Sequence, residues 1–106
     1  MHLYLGIDFG TTGVRTSVIN ERKEELINYS VSIESPISKG SLVYQNPNLW
    51  WEALLKNFHY LKLKINLEDI KRLSIDGTSG TVLITNELGD PIDHALMYND
   101  ASSVKE

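Results

Sequence analysis

Residues 5–15 read LGIDFGTTGVR, and no other stretch restricts the possible folds as much. Leu3, Leu5, Ile7 and Phe9 alternate with His2, Tyr4, Gly6 and Asp8. That period of two predicts a strand from His2 to Phe9, with Asp8 pointing away from the Leu/Ile/Phe side of its sheet. Gly10, Thr11, Thr12 and Gly13 then break the chain, and a second strand is expected at once, from Val14 to Ile19. Asp, Gly and Thr at a strand-to-strand turn are common turn chemistry. Here, however, an apolar strand delivers one carboxylate to the start of a run of small residues. Glycines let backbone N–H groups approach phosphate oxygens, and hydroxyls add donors. The acid can hold Mg²⁺, which takes one or two carboxylates and completes its shell with water and phosphate oxygens. The pattern suits a magnesium nucleotide. It is not a Walker A loop, since no Gly-Lys-Ser/Thr occurs, nor a dinucleotide fingerprint, since no helix follows the glycines.

The next segments extend this start into a sheet. Asn20-Glu21-Arg22-Lys23 is a polar turn, and Glu25 to Ile33 reads as a third strand, giving an antiparallel meander. Residues 34–46, with Ser35, Pro36, Ser38, Gly40 and Ser41, read as a loop. Asn46 is the expected N-cap of a helix, with Pro47 at its first position. Trp50, Leu54, Phe58 and Leu61 recur at helical spacing, flanked by Ala53 and Leu55, and the helix is expected to end near Lys64. Ile70 to Ile75 reads as a fourth strand, Thr81 to Thr85 as another, and Ala95 to Tyr98 as a short extended segment. The order β-β-β-α-β predicts an α/β fold: a ribonuclease-H-like (actin-like ATPase) domain with a mixed sheet, incomplete in 106 residues.

Composition narrows the classes further. With 42% hydrophobic residues, the chain has enough apolar material for one core. The lack of cysteine excludes a disulfide scaffold and fits a reducing cytoplasm, the expected location. No apolar run approaches the roughly 20 residues that span a bilayer, and no signal peptide is expected. Net charge is −4, and the basic residues around Lys62 alternate with acidic ones, so neither a nucleic-acid nor a membrane partner is expected. His2, His59 and His94 have no metal-ligand spacing.

The segment GIDFGTT resembles the first phosphate motif of the sugar kinase, actin and heat-shock ATPase superfamily, and its continuation Gly13-Val14-Arg15 resembles the FGGY carbohydrate kinases. The run Asn46-Pro47-Asn48-Leu49-Trp50-Trp51 is similar to that family's Asp-Pro-x-x-Trp-Trp helix start. The resemblance implies ATP and Mg²⁺ as cofactors, with Asp8 positioning the metal and Gly10, Thr11 and Thr12 meeting nucleotide phosphates. Arg15 is placed either to reach the transferring phosphate or to pair with a nearby acid, and the sequence leaves both open.

Two further segments resemble the family's sugar-contacting regions. Asp76-Gly77-Thr78-Ser79-Gly80 follows a strand expected to be parallel, where α/β sheets place ligands. Alone it would read as a glycine-rich turn. Xylulose kinases carry Gly-Gln-Met-His-Gly there, so the shorter loop here implies a polyol or ketose, pentulose first, without naming it. Ala95-Leu96-Met97-Tyr98-Asn99-Asp100 resembles the family's Ile-Leu-Trp-Asn-Asp segment, with Tyr98 for tryptophan and Ser102 where the family has arginine. The substrate-binding candidates are thus Asp76, Thr78, Ser79, Tyr98, Asn99 and Asp100.

The resemblance implies that residues 1–106 are the N-terminal portion of the first kinase domain. Family members are several times longer, and their second domain carries the other phosphate loop, the adenosine site and the aspartate base. The implied whole protein is an ATP-dependent sugar kinase with a small-molecule sugar as its partner. This portion holds no catalytic base and is expected to be inactive alone. The alternative is a non-catalytic nucleotide- or sugar-binding module on the same core.

Overall fold

The structure is a computed structural model and describes residues 1–102. Strands β1 (Leu3–Phe9), β2 (Gly13–Ile19) and β3 (Glu25–Ser32) form the expected antiparallel meander. A hairpin of β4 (Ile37–Lys39) and β5 (Leu42–Gln45) follows, then helix α1 (Asn48–Lys64). A 3-10 turn at Leu67–Asp69 leads into β6 (Ile70–Gly77), and β7 (Ala95–Leu96) comes last. The main sheet has the order β3-β2-β1-β6, with β6 parallel to β1, as a helical crossover permits. A second sheet has the order β4-β5-β7.

The period-two pattern of β1 sends Leu3, Leu5 and Ile7 inward, where they meet Val14 and Val18 of β2 and Ala53 and Leu61 of α1. Trp50, Leu54 and Phe58 pack against the same cluster. Tyr29 of β3 stacks on Tyr60 of α1, ring centroids 3.7 Å apart. One polar pair sits inside this core: Thr16 Oγ1 donates to Asn57 Oδ1 at 2.9 Å. Asn57 Nδ2 in turn donates to the carbonyls of Val14 (3.0 Å) and Ala53 (2.8 Å), so it fastens α1 to β2 just after the glycine loop.

The helix begins one residue later than expected, with Pro47 and not Asn46 as its N-cap. Pro47 already has helical dihedrals (φ −64, ψ −21), and Asn46 Oδ1 accepts the Asn48 N–H at 3.0 Å. Asn66, past the helix end, accepts the Glu68 N–H at 3.0 Å and starts the 3-10 turn. Three further expectations need correction. Residues 34–46 are not a plain loop: Gly40, at φ +60, makes the turn between β4 and β5. Thr81 to Thr85 is not a strand; the segment makes only single bridges, Val82 with Leu96 of the two-residue β7 and Thr85 with Pro91, too few neighbouring pairs for a ladder. Leu55 lies on the exposed side of α1, not on its core stripe.

Candidate functional site

The parallel pairing of β1 and β6 brings the first two motifs together. Asp8 is in register with Asp76 on β6 and with Arg15 on β2. Register partners share a sheet face, so Arg15, Asp8 and Asp76 form a row across the polar face. All three are exposed, and with Gly6, Ile7, Ser17 and Ser74 they line a small cavity of about 190 Å³. A proton shared with Asp8, then partial burial and the charge of Asp8, push the Asp76 carboxyl above the ordinary 3.8. Two carboxylates that stand level on adjacent strands are a donor set that a hard divalent cation relieves, and this chemistry fits Mg²⁺ at Asp8. Among the described residues Arg15 makes no ion pair, although its strand places it opposite Asp8.

The loop after β1 is a closed turn. Gly10 N–H donates to Gly13 O at 2.8 Å, so this donor holds the loop and is not free for an anion. Thr12 O accepts the Ile33 N–H at 3.0 Å, and Thr11 O accepts from Gln45 Nε2 at 2.9 Å. Both threonine carbonyls are therefore held by protein donors. The Thr11 and Thr12 N–H groups have no protein acceptor among the described residues. These two amides and the threonine hydroxyls are the loop's available donors.

The sugar-side candidates occupy the loop beyond β6 and the segment after β7. Thr78 lines a cleft of about 710 Å³ with Phe9, Trp50, Trp51, Thr81 and Asp90. Its Oγ1 lies 2.6 Å from Thr81 Oγ1. Ser79 is exposed. Gly80 has φ +73, and a side chain there would meet Tyr98 Cβ at 3.2 Å, so the two sugar-side segments touch at this point. Tyr98 and Asn99 are exposed. Asp100 is already engaged: Oδ1 accepts the Val43 N–H at 2.7 Å, and Oδ2 accepts from Ser102 Oγ at 2.6 Å and Ser102 N at 3.2 Å. Ser102 thus supplies donors to Asp100 where the family pattern has arginine. The Ser102 hydroxyl, then the Val43 amide, hold the Asp100 carboxyl below its ordinary value against a smaller opposing effect of burial.

Two residues that the sequence reading did not single out are central here. Gln45 reaches the loop after β1, and Asn57 reaches Val14 behind it. Both are polar residues at inward positions of otherwise apolar patterns: Gln45 two after Val43 on β5, and Asn57 midway between Ala53 and Leu61 on α1. That is the signal that could have found them. No group of three or more His, Cys, Asp or Glu residues forms a metal cluster among the described residues. No helix among them is long and apolar enough to cross a membrane.

Comparison with known proteins agrees with this geometry. A xylulose kinase of Staphylococcus xylosus is 28% identical over 106 residues, covering 100% of this chain and 22% of the relative. A xylulose kinase of Escherichia coli K12 is 26% identical over 104 residues, covering 98% of this chain and 22% of the relative. The chain thus spans about a fifth of the length of these relatives. In structure, a xylulose kinase from Brucella ovis superposes with a TM-score of 0.88 at 20% identity, over 98% of this chain and 22% of that one. A glycerol kinase from Plasmodium falciparum, solved with ADP, superposes with a TM-score of 0.66 at 15% identity, over 99% of this chain and 22% of that one. These likenesses establish the actin-like ATPase fold. The sequence profile described as "FGGY family of carbohydrate kinases, N-terminal domain" matches residues 3–106, and the chain belongs to that family.

Proposed function

We propose that this chain forms one wall of an ATP-dependent sugar kinase, as the N-terminal portion of its first domain. The observation that carries the reading is the exposed Asp8 beside two unengaged amides, those of Thr11 and Thr12, at the end of an actin-like sheet. In this reading the Thr11 and Thr12 amides and hydroxyls bind nucleotide phosphate oxygens. Asp8 holds Mg²⁺, which when bound neutralises charge on the phosphates. Arg15, level with Asp8, adds positive charge on the same face. Thr78, Ser79, Tyr98 and Asn99 line the sugar side. Asp76 stands between the two groups, and Asp100 anchors the sugar-side segment through Val43. The γ-phosphoryl group passes to a hydroxyl of a ketose or polyol, and the named relatives favour a pentulose. Such transfer depends on positioning and charge stabilisation. The hydroxyl's proton needs a base supplied by the rest of the protein, in the cytoplasm.

The test is ADP release by the full-length gene product with MgATP and a panel of pentuloses, hexuloses, glycerol and gluconate. Turnover with one ketose is expected, with a loss of about a hundredfold or more in Asp8→Asn. The 106-residue chain should release no ADP. Absence of sugar-dependent ADP release by the full-length protein would leave a non-catalytic binding module in its place.

A further inference from the structure

The loop after β1 offers its donors only while its peptide planes keep one orientation, and a buried side chain sets that orientation from behind. Gln45, the last residue of β5, is 1% exposed. Its Nε2 donates to Thr11 O at 2.9 Å and to Glu34 O at 2.8 Å. Its Oε1 is buried without a partner. An amide buried with an orphaned acceptor is less favourable than an aliphatic side chain of the same size. Packing therefore does not account for glutamine at this position, whereas its two donor bonds do. The peptide between Thr11 and Thr12 is trans. In a planar trans peptide the C=O and the N–H point in opposite directions. A donor that grips Thr11 O from the interior therefore turns the Thr12 N–H outward.

We propose that Gln45 is a positioning residue for phosphate binding, fixing the Thr11–Thr12 peptide so that the Thr12 N–H faces the bound anion. The same residue ties this setting to the sugar side. Gln45 pairs with Ala95 across β5 and β7, and the Val43 N–H, on the same strand, donates to Asp100. The sugar-side segment and the phosphate loop thus hang on one four-residue strand. The identity of the anion rests on the kinase reading; the orientation of the peptide does not.

The experiment uses the full-length gene product with Gln45→Met, which keeps the length and removes both donors, and Gln45→Glu, which keeps the shape and places an acceptor against two carbonyls. Hydrogen exchange should accelerate at Gly10 and Ile33, whose N–H groups close the loop on Gly13 O and Thr12 O, while the amides of β1, β2 and α1 keep their protection. The KM for MgATP should rise about tenfold, the scale of one lost hydrogen bond, with the sugar KM within about twofold of wild type. Unchanged exchange in the loop of a folded variant overturns the proposal. So does a loss of protection spread evenly over β1, β2 and α1, or failure of both variants to fold, since each makes Gln45 a residue that only holds the fold. If the wild-type protein phosphorylates no sugar, the kinase reading fails while the exchange result still judges Gln45.

Discussion

On one flank of the main sheet, β1 and β2 press their aliphatic residues into α1; on the other, β6 carries the same alternation into solvent. Leu5 and Ile7 are 3% and 5% exposed, whereas their register partners Leu73 and Ile75 are 56% and 60% exposed. The four side chains share one face, so strand propensity does not separate them. What separates them is cover. α1 packs across β2 and β3, and its Ala53 and Leu61 close over β1, while β6 lies at the sheet's edge. Apolar alternation makes a strand; only a second layer makes it core. The polar face shows the converse. There Arg15, Asp8 and Asp76 stand level across three strands, and their exposure leaves them available for ligands.

The covered flank should respond most to truncation. Leu61→Ala removes a fully buried side chain from the centre of the cluster and should cost about 3 kcal/mol in urea unfolding of the 106-residue chain. A cost under about 1 kcal/mol would mean that this flank is packed no better than β6. Next comes the polar fastener. Asn57→Ala leaves the buried Thr16 hydroxyl without its partner and should cost about 2 kcal/mol. Combining it with Thr16→Val should cost less than the sum of the two single changes, because the second change removes the stranded hydroxyl. Strict additivity would show that the pair is not coupled.

Most of the covered flank was legible because its two periods are strong. The alternation of β1 and the spacing of Trp50, Leu54, Phe58 and Leu61 each name one buried face. The β4–β5 hairpin was not legible: strands of three and four residues leave too little alternation, and Gly40 alone marked the turn. Thr81 to Thr85 misled in the other direction, since its β-branched residues meet only isolated partners, Leu96 and Pro91, and form bridges in place of a ladder. At the site, the strand that carries Asp8 to its end was readable from chain order, as was the parallel strand that sets Asp76 beside Asp8. Gln45 was not, because its partners, Thr11 and Glu34, are brought to it by the tertiary fold.

A smaller effect, outside both flanks, should appear as a pH dependence. Donors from Ser102 and Val43 hold the Asp100 carboxyl below its ordinary value of 3.8. As the pH falls, the unfolded chain takes up this proton first. The stabilisation from Asp100 is therefore complete above the ordinary value and is lost as the pH falls through the lower, folded one. Asp100→Asn should be less stable than wild type at pH 7, with the gap narrowing below the ordinary carboxylate value. A gap that stays constant to acid pH would show that the two donors do not favour the charged form.

The smallest change is expected where the comparison began. Leu73→Ser with Ile75→Thr replaces two aliphatic side chains by polar ones on β6, keeping a β-branched residue at position 75. Since both side chains are largely in water, the pair should alter the stability of the 106-residue chain by no more than about 0.5 kcal/mol. Leu5→Ala, one strand away on the same face, should cost more than about 2 kcal/mol. The double variant should also be more soluble, because an edge strand with exposed aliphatic residues invites pairing between chains. Analytical ultracentrifugation beside urea unfolding separates the two effects. Equal costs for the double variant and for Leu5→Ala would break the comparison, because they would require a layer over β6 as close as the one α1 lays over β1.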